Sequence, residues 1–217
     1  MRFGVLGTGM VGMEIAGKLA TVGQDVRMGA RQANNAKASS WAIAAGGSAS
    51  HGTFGDAAAF GDVVFNCIHG VYALEALRAI AGPLRGKILV DVSNPIDYSR
   101  SPPGLTVCDH DSLGEQIQRA LPETRVVKAL NIVGCKAMVD ASYIPGEHDM
   151  FVSGNDGEAK AVVTRIVSEW FGWRRVIDLG DIASCRGTEA FTILFHALWK
   201  VYGTPYVNIQ VAARPKG

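Results

Sequence analysis

Short continuous apolar runs alternate along this chain with longer stretches in which apolar residues return every three or four positions. Arg2-Phe3-Gly4-Val5-Leu6 reads as a buried strand. Val11, Ile15, Leu19 and Val22, with Glu14, Lys18 and Thr21 on other faces, read as an amphipathic helix. The same reading predicts strands at 25–30, 61–68, 87–92, 125–130, 149–153 and 175–179. Helices are predicted from an Asn34 cap through Ala38 and Trp41 to Ala45 (stopped by Gly46-Gly47), and at 72–81 (ended by Gly82-Pro83), 113–121 and 158–171. Residues 99–104, with two prolines, read as an exposed loop. Strand–helix alternation of this kind predicts an α/β fold: a doubly wound, mostly parallel Rossmann sheet over residues 1–179. After residue 180 the pattern changes. Phe191, Ile193, Leu194, Phe195, Ala197, Leu198, Trp199 and Val201 leave one helix apolar on nearly every face. Such a helix is expected to be buried all round. Residues 180–217 are therefore read as a C-terminal helix and tail, covered in part by a second copy of the chain in a homodimer. His196, inside that helix, reads as a core or interface histidine.

Between the first strand and the first helix stands Gly7-Thr8-Gly9-Met10-Val11-Gly12. A glycine-rich turn from strand into helix places bare N–H groups at the positive end of the helix, where a pyrophosphate sits. Gly7 is expected to make the tight turn, Gly9 to let phosphates approach the backbone, and Gly12 to let helix and strand pack closely. The G-x-G-x-x-G spacing alone is weak in a chain with 26 glycines. A preceding strand, a following helix and a second strand at the right distance make it a dinucleotide site.

The end of the second strand selects the dinucleotide. NAD-binding proteins place an acid there, about 20 residues past the glycines, to hold the ribose 2′-hydroxyl. From Arg27 to Ala33 this chain has no acid; it has Arg31 followed by Gln32. A guanidinium pairs with phosphate oxygens in a fork, so the position favours the 2′-phosphate of NADP(H). Asp25 begins the strand and lies at the wrong edge of the sheet to serve NAD.

Ligands of an open α/β sheet lie beyond the carboxyl ends of its strands. Past those ends stand Thr8 and Met10, His69-Gly70-Val71, Ser93-Asn94-Pro95 and Asn131-Ile132-Val133, all expected to line one crevice. His69 is the only residue in that set of a type whose side chain can exchange a proton near neutrality. Reduction of a carbonyl or alcohol chemistry needs a proton donor and acceptor beside the hydride path. Transfer from nicotinamide to a flavin-like ring needs mainly two flat rings stacked at short range. The crevice therefore reads as a clamp for stacking, shaped by His69, Ser93, Asn94, Pro95, Asn131 and Val133, with no single essential acid or base.

Composition narrows the partners. With 217 residues, 48% hydrophobic and 19% charged, the chain is globular. A formal net charge of +1 gives no electrostatic reason to expect nucleic acid or an anionic membrane. Cys67, Cys108, Cys135 and Cys185 are scattered without metal-ligand spacing, and read as reduced thiols. The N-terminus enters a core strand at once and no apolar run approaches the ~20 residues of a membrane span. A soluble cytoplasmic protein without a leader is expected.

Gly7–Gly12, the Gly29-Ala30-Arg31-Gln32 turn, the Val127-Lys128-Ala129-Leu130-Asn131 strand end and the segment from Ser184 to Trp199 resemble the NADP oxidoreductases dependent on coenzyme F420, a deazaflavin. The likeness runs through essentially the whole chain. The nucleotide-binding part is also similar to the cytosolic domain of six-transmembrane ferric reductases, which pass hydride from NADPH to a flavin. The resemblance implies hydride exchange between NADP(H) and a deazaflavin or flavin, with Ala30-Arg31-Gln32 standing where the family has a Ser/Thr-Arg-type turn for the 2′-phosphate. The chain departs from the family at Asn131, where deazaflavin users carry a histidine, and at His69-Gly70, where they carry a Pro-Trp pair. Both departures fall where the second ring stacks. Two rival readings remain: an NADPH-dependent reductase of a small imine or carbonyl with His69 as proton donor, and a non-catalytic NADPH-binding regulator.

Overall fold

The computed structural model of the protein describes residues 1–214. The strands β1 (Arg2–Leu6), β2 (Asp25–Ala30), β3 (Ala49–Thr53), β4 (Val63–Asn66) and β5 (Ile88–Asp91) are followed by a small hairpin, β6 (Ile96–Asp97) and β7 (Gly104–Leu105), and then by β8 (Arg125–Ala129), β9 (Met150–Gly154) and β10 (Val176–Asp178). Between them lie α1 (Met10–Thr21), α2 (Ala36–Ala45), α3 (Phe54–Phe60), α4 (Gly70–Arg78), α5 (Ala81–Leu84), α6 (Leu113–Ala120), α7 (Cys135–Val139) and α8 (Gly157–Arg165), with α9 (Cys185–Tyr202) at the end. The main sheet has eight strands in the order β10-β9-β8-β5-β4-β1-β2-β3. Neighbours from β3 to β8 pair in parallel; β9 is antiparallel to β8, and β10 is parallel to β9. This is the doubly wound, mostly parallel Rossmann sheet expected from the alternation.

The period of two explains why both faces are covered. Phe3 and Val5, Val63 and Phe65, and Ile88 and Val90 join one core, packed beneath α1, Trp173 and Phe171. Leu6, Val64 and Leu89 point the other way and join a second core with Leu77, Leu84 and Ile117. Strands buried on both faces read as continuous apolar runs, which is why they were visible.

Several local expectations need correction. Helix α2 is capped by Asn35, whose side chain accepts from Ala38 N, and not by Asn34. β3 and α3 occupy a stretch to which the sequence pattern assigns no element; an edge strand with half-buried residues and a helix of only seven residues carry little periodic signal. The helix placed at 72–81 begins at Gly70 and ends at Arg78, and Gly82-Pro83 lie inside the separate turn α5. The helix placed at 158–171 is α-helical only to Arg165 and widens into a π turn over Ile166–Trp170. Within a single chain α9 is covered on part of its surface. Its start is sunk into the fold at Cys185, Thr188, Glu189 and Thr192, while Ile193, Leu194, Trp199, Val201 and Tyr202 stand exposed. The tail after α9 returns to the sheet, where Asp149 N donates to Ile209 O at 3.0 Å and Val211 N to Asp149 Oδ2 at 2.6 Å. The last part of the expected 180–217 segment, residues 215–217, lies outside the described residues. Among the described residues no helix is long and apolar enough to cross a membrane.

Candidate functional site

The carboxyl ends of β1, β4 and β5 open onto a cavity of about 560 Å³. Its lining includes Gly7, Thr8, Gly9, Met10 and Val11 from the first turn, Arg31, His69 and Gly70, and Ser93 and Asn94. A second cavity of about 630 Å³ shares Arg31 and Phe54 with the first and continues along Thr53, Tyr72, Glu75 and Ile80. Both lie in the size range of small-molecule and cofactor sites, ~300–1,000 Å³.

The glycine turn fits a pyrophosphate. Gly7 has φ +125°, and a Cβ there would stand 2.8 Å from the Cys67 carbonyl. A Cβ on Gly12 would collide with the carbonyl of Gly7, so α1 can pack on β1 only without one. At Gly9 the reason is different. A Cβ there would meet no protein atom within 4 Å, so the space it would occupy belongs to the cavity. Gly9 is also the N-cap of the 12-residue α1, without a side-chain cap, which leaves the first amides of that helix for an anion.

Arg31 stands where the two cavities meet. Its guanidinium lies over the ring of Tyr72, 5.7 Å from the centroid. Among the described residues no carboxylate lies within ion-pair distance of it. Asp25 pairs in register with Arg2 at the opposite end of β1 and β2, so it offers nothing to a ribose here.

The floor at the other end is a buried polar network. Asp91 Oδ1 accepts from Ser93 N (3.2 Å), Ser93 Oγ (2.6 Å) and Asn66 Nδ2 (2.8 Å). Asn94 and Asn131 bond reciprocally, Asn94 Nδ2 to the Asn131 carbonyl at 2.6 Å and Asn131 Nδ2 to Asn94 Oδ1 at 2.9 Å. Asn94 borders the cavity; Asn131 does not. The reason is the backbone of Leu130, whose φ of +65° turns the chain off β8 in a conformation costly for a non-glycine residue. Asn131 therefore supports the loop from behind. Gly12, Gln32, Pro95 and Val133 also fall outside the lining: Gly12, Pro95 and Val133 are buried, and Gln32 points to solvent. Gly70 makes its own contribution, since a Cβ on it would collide with the Asn94 carbonyl. It lets the start of α4 close against this loop.

Residues that the sequence did not single out for the site also line the wall, among them Asn35, Phe54, Ile96, Tyr98 and Met138. Tyr98 follows β6, and its ring lies between those of His69 (centroids 5.6 Å) and His196 (6.1 Å, edge-on). His69 in turn approaches Tyr72 at 5.9 Å. An aromatic run thus joins α9 to the ring beneath Arg31. His69 is exposed, at the N-cap of α4. Burial raises the Tyr98 phenol above its ordinary value and pushes the Cys67 thiol far up, so both stay protonated at neutral pH. The cavity is less bare of proton-bearing groups than its sequence suggests, but the described lining holds no carboxylate.

Lys128 was also hidden. It is 1% exposed, and its Nζ donates to Asp91 Oδ2, to the Ser93 carbonyl and to Glu189 Oε1, each at 2.7 Å. Burial works against its charge, but the Asp91 and Glu189 carboxylates outweigh that and hold the ammonium above the usual lysine range. Glu189, from α9, also accepts from Leu113 N (2.8 Å) and Gly114 N (2.9 Å), supplying a carboxylate to the start of α6. Nothing local in a Val-Val-Lys-Ala strand announces such a partner.

Residues 2–95 match the family "NADP oxidoreductase coenzyme F420-dependent". The F420-dependent NADP reductase of Methanocaldococcus jannaschii is 33% identical over 158 residues, covering 72% of this chain and 70% of that protein. Metalloreductase STEAP3 of Rattus norvegicus is 29% identical over 201 residues, 92% of this chain but only 38% of that longer protein. A crystal structure from Arthrobacter sp. FB24, assigned provisionally as an F420-dependent NADP-reductase, superposes with a TM-score of 0.91 at 41% identity, covering 98% of this chain and all of that one. The chain belongs to the family of F420-dependent NADP reductases, which are oxidoreductases.

Proposed function

We propose that this protein is an NADP(H)-dependent oxidoreductase that moves a hydride between the nicotinamide and the ring of a deazaflavin of the F420 type, or of a flavin. The observation that carries the reading is the pairing of two features in one groove: an unpaired guanidinium at one end, and a carboxylate-free wall of flat side chains at the other. NADP(H), when bound, supplies a two-electron hydride carrier. The chain's own residues hold and orient it. The α1 amides at Gly9 and Met10 receive the pyrophosphate, and Arg31 forks onto the 2′-phosphate. Ser93 and Asn94 border the nicotinamide, and His69 and Tyr98 offer ring faces against which a second ring system lies flat. Stacking requires proximity and orientation rather than proton transfer. His69 is thus a wall residue, and Asn131 acts through Asn94. The methanogen relatives are named for F420, which favours that acceptor over free flavin.

The protein is further proposed to act in the cytoplasm as a homodimer, with the exposed face of α9 (Ile193, Leu194, Trp199, Val201, Tyr202) covered by the same helix of a second copy.

The test is NADPH oxidation by purified protein with F420, FMN, FAD and ferric complexes supplied separately. Turnover with F420 or a flavin is expected. Turnover with imines or carbonyls alone would reassign the site, and tight NADPH binding with no turnover at all would make it a regulator.

A further inference from the structure

Ser93 is held at every polar atom it owns. Its N–H and hydroxyl both reach Asp91 Oδ1, and its carbonyl accepts from Lys128 Nζ at 2.7 Å. The next residue, Asn94, is held through its side chain by Asn131. A loop fixed this completely has little freedom of its own; it moves when its anchors move.

One of those anchors is remote. An ammonium has three protons, and Lys128 spends one on each of Asp91, the Ser93 carbonyl and Glu189. None is left to give to a substrate, and the side chain is 1% exposed, so Lys128 is not an acid for the reaction. Its geometry is that of a three-way tie between the β5 end, the loop that follows it and α9. Glu189 carries the tie onward: the same carboxylate that meets Lys128 also holds Leu113 N and Gly114 N. A second contact between α9 and the cavity lies about two turns further along, where His196 meets the Tyr98 ring edge-on. The helix that presents its apolar face to solvent is therefore joined to the floor of the cavity and to its wall.

We propose that Lys128 is a positioning residue for the nicotinamide end of the site, and that the Glu189–Lys128–Ser93 connection makes the first turns of α9 respond to what occupies that end. The proposal rests on the reading that Ser93 and Asn94 border the nicotinamide. It goes beyond that reading by joining the site to α9. Because α6 is held by the same carboxylate, the response extends to the first turn of α6.

Native protein gives the first test. Hydrogen exchange is followed by mass spectrometry for peptides spanning 185–195 and 112–117, with NADPH and separately with adenosine 2′,5′-bisphosphate, which is the adenosine half of the cofactor. NADPH is expected to slow exchange in both peptides threefold or more, and the bisphosphate to leave them unchanged. Equal effects from the two ligands, or no effect from bound NADPH, would overturn the proposal. If the protein binds the bisphosphate and not NADPH, the placement of the nicotinamide is itself wrong and the proposal falls with it.

The second test removes the tie. Lys128→Met alone would strand two buried carboxylates and destabilise the fold. The pair Lys128→Met/Glu189→Gln keeps the net charge of the cluster at its native value while leaving the Ser93 carbonyl without its donor. In that variant the NADPH dissociation constant should rise fivefold or more, with the bisphosphate constant within twofold of native. A shift common to both ligands would mean a merely structural role, and no shift in either would mean that Lys128 does not position the loop. Should the double variant fail to fold, the exchange measurement on native protein decides alone.

Discussion

Replacing Arg31 with alanine isolates what fixes the choice of nucleotide. Among the described residues the guanidinium has no carboxylate within ion-pair distance and lies over the Tyr72 ring, so its removal breaks little. An exposed cation–π contact contributes about 0.5–1 kcal/mol, and folding stability should fall by no more than that. Binding is another matter. A hydrogen bond to a charged group contributes about 1.5–3 kcal/mol, and each ~1.4 kcal/mol is tenfold in affinity. Because Arg31 is exposed and its charge is screened by water, the lower half of that range applies. The NADPH dissociation constant should rise about tenfold to thirtyfold, and the NADH constant should stay within about twofold, since its ribose carries no phosphate. Titration of nicotinamide fluorescence with both nucleotides, at low and high salt, reads this directly. The NADPH penalty should shrink as salt is added. Equal loss for NADPH and NADH would show that Arg31 supports the groove without reading the phosphate, and the assignment of the cofactor would fail.

Other consequences are checked as simply. Gly70→Ala places a methyl against the Asn94 carbonyl; overpacking of this kind costs about 1–3 kcal/mol, and calorimetry should show that loss together with weaker NADPH binding. His69→Ala should change turnover without removing any break near neutrality from the pH–rate profile, because a stacking wall has no proton to move. If such a break exists and disappears in that variant, His69 is an acid. The Arg186 guanidinium, from α9, bonds bidentately to Glu115 of α6 at 2.8 and 2.6 Å and holds its carboxyl below the ordinary value of 4.5. A carboxyl lowered by folding adds stability above its unfolded value, and loses it as pH falls through the folded one. Glu115→Gln should thus lower the unfolding temperature at pH 7 and make less difference well below pH 4. For the proposed dimer, sedimentation should give twice the chain mass, and Leu194→Glu with Trp199→Glu should return it to one chain.

The first turn, the parallel sheet and the place of Arg31 beside the cavity were legible because each follows from a local rule: two-sided burial makes apolar runs, glycines open a turn, and a residue just past a strand end faces the crevice. What escaped depends on distant parts of the chain. Asn131 sits just past a strand end, as ligand residues do, yet the left-handed turn at Leu130 faces it toward Asn94 and away from the cavity. Tyr98 reaches the site through a hairpin of two-residue strands that no periodicity reveals. Lys128 falls inside the predicted strand with nothing nearby in sequence to pair its charge, because its partners Asp91 and Glu189 lie on another strand and on the last helix. Within one chain the apolar residues of α9 are partly covered: Phe191 packs on the core, while Ile193, Leu194, Trp199, Val201 and Tyr202 stand exposed, and these are the residues that the proposed second copy would cover.

The central claim is direct hydride transfer between two stacked rings, and it is tested by following the label itself. NADPH carrying deuterium at C4 of the nicotinamide, on the transferred face, should hand that deuterium to the ring carbon of oxidised F420 in a single turnover, with none released to water. Recovery of the label in solvent, or F420 left oxidised while NADPH is consumed, would contradict the account.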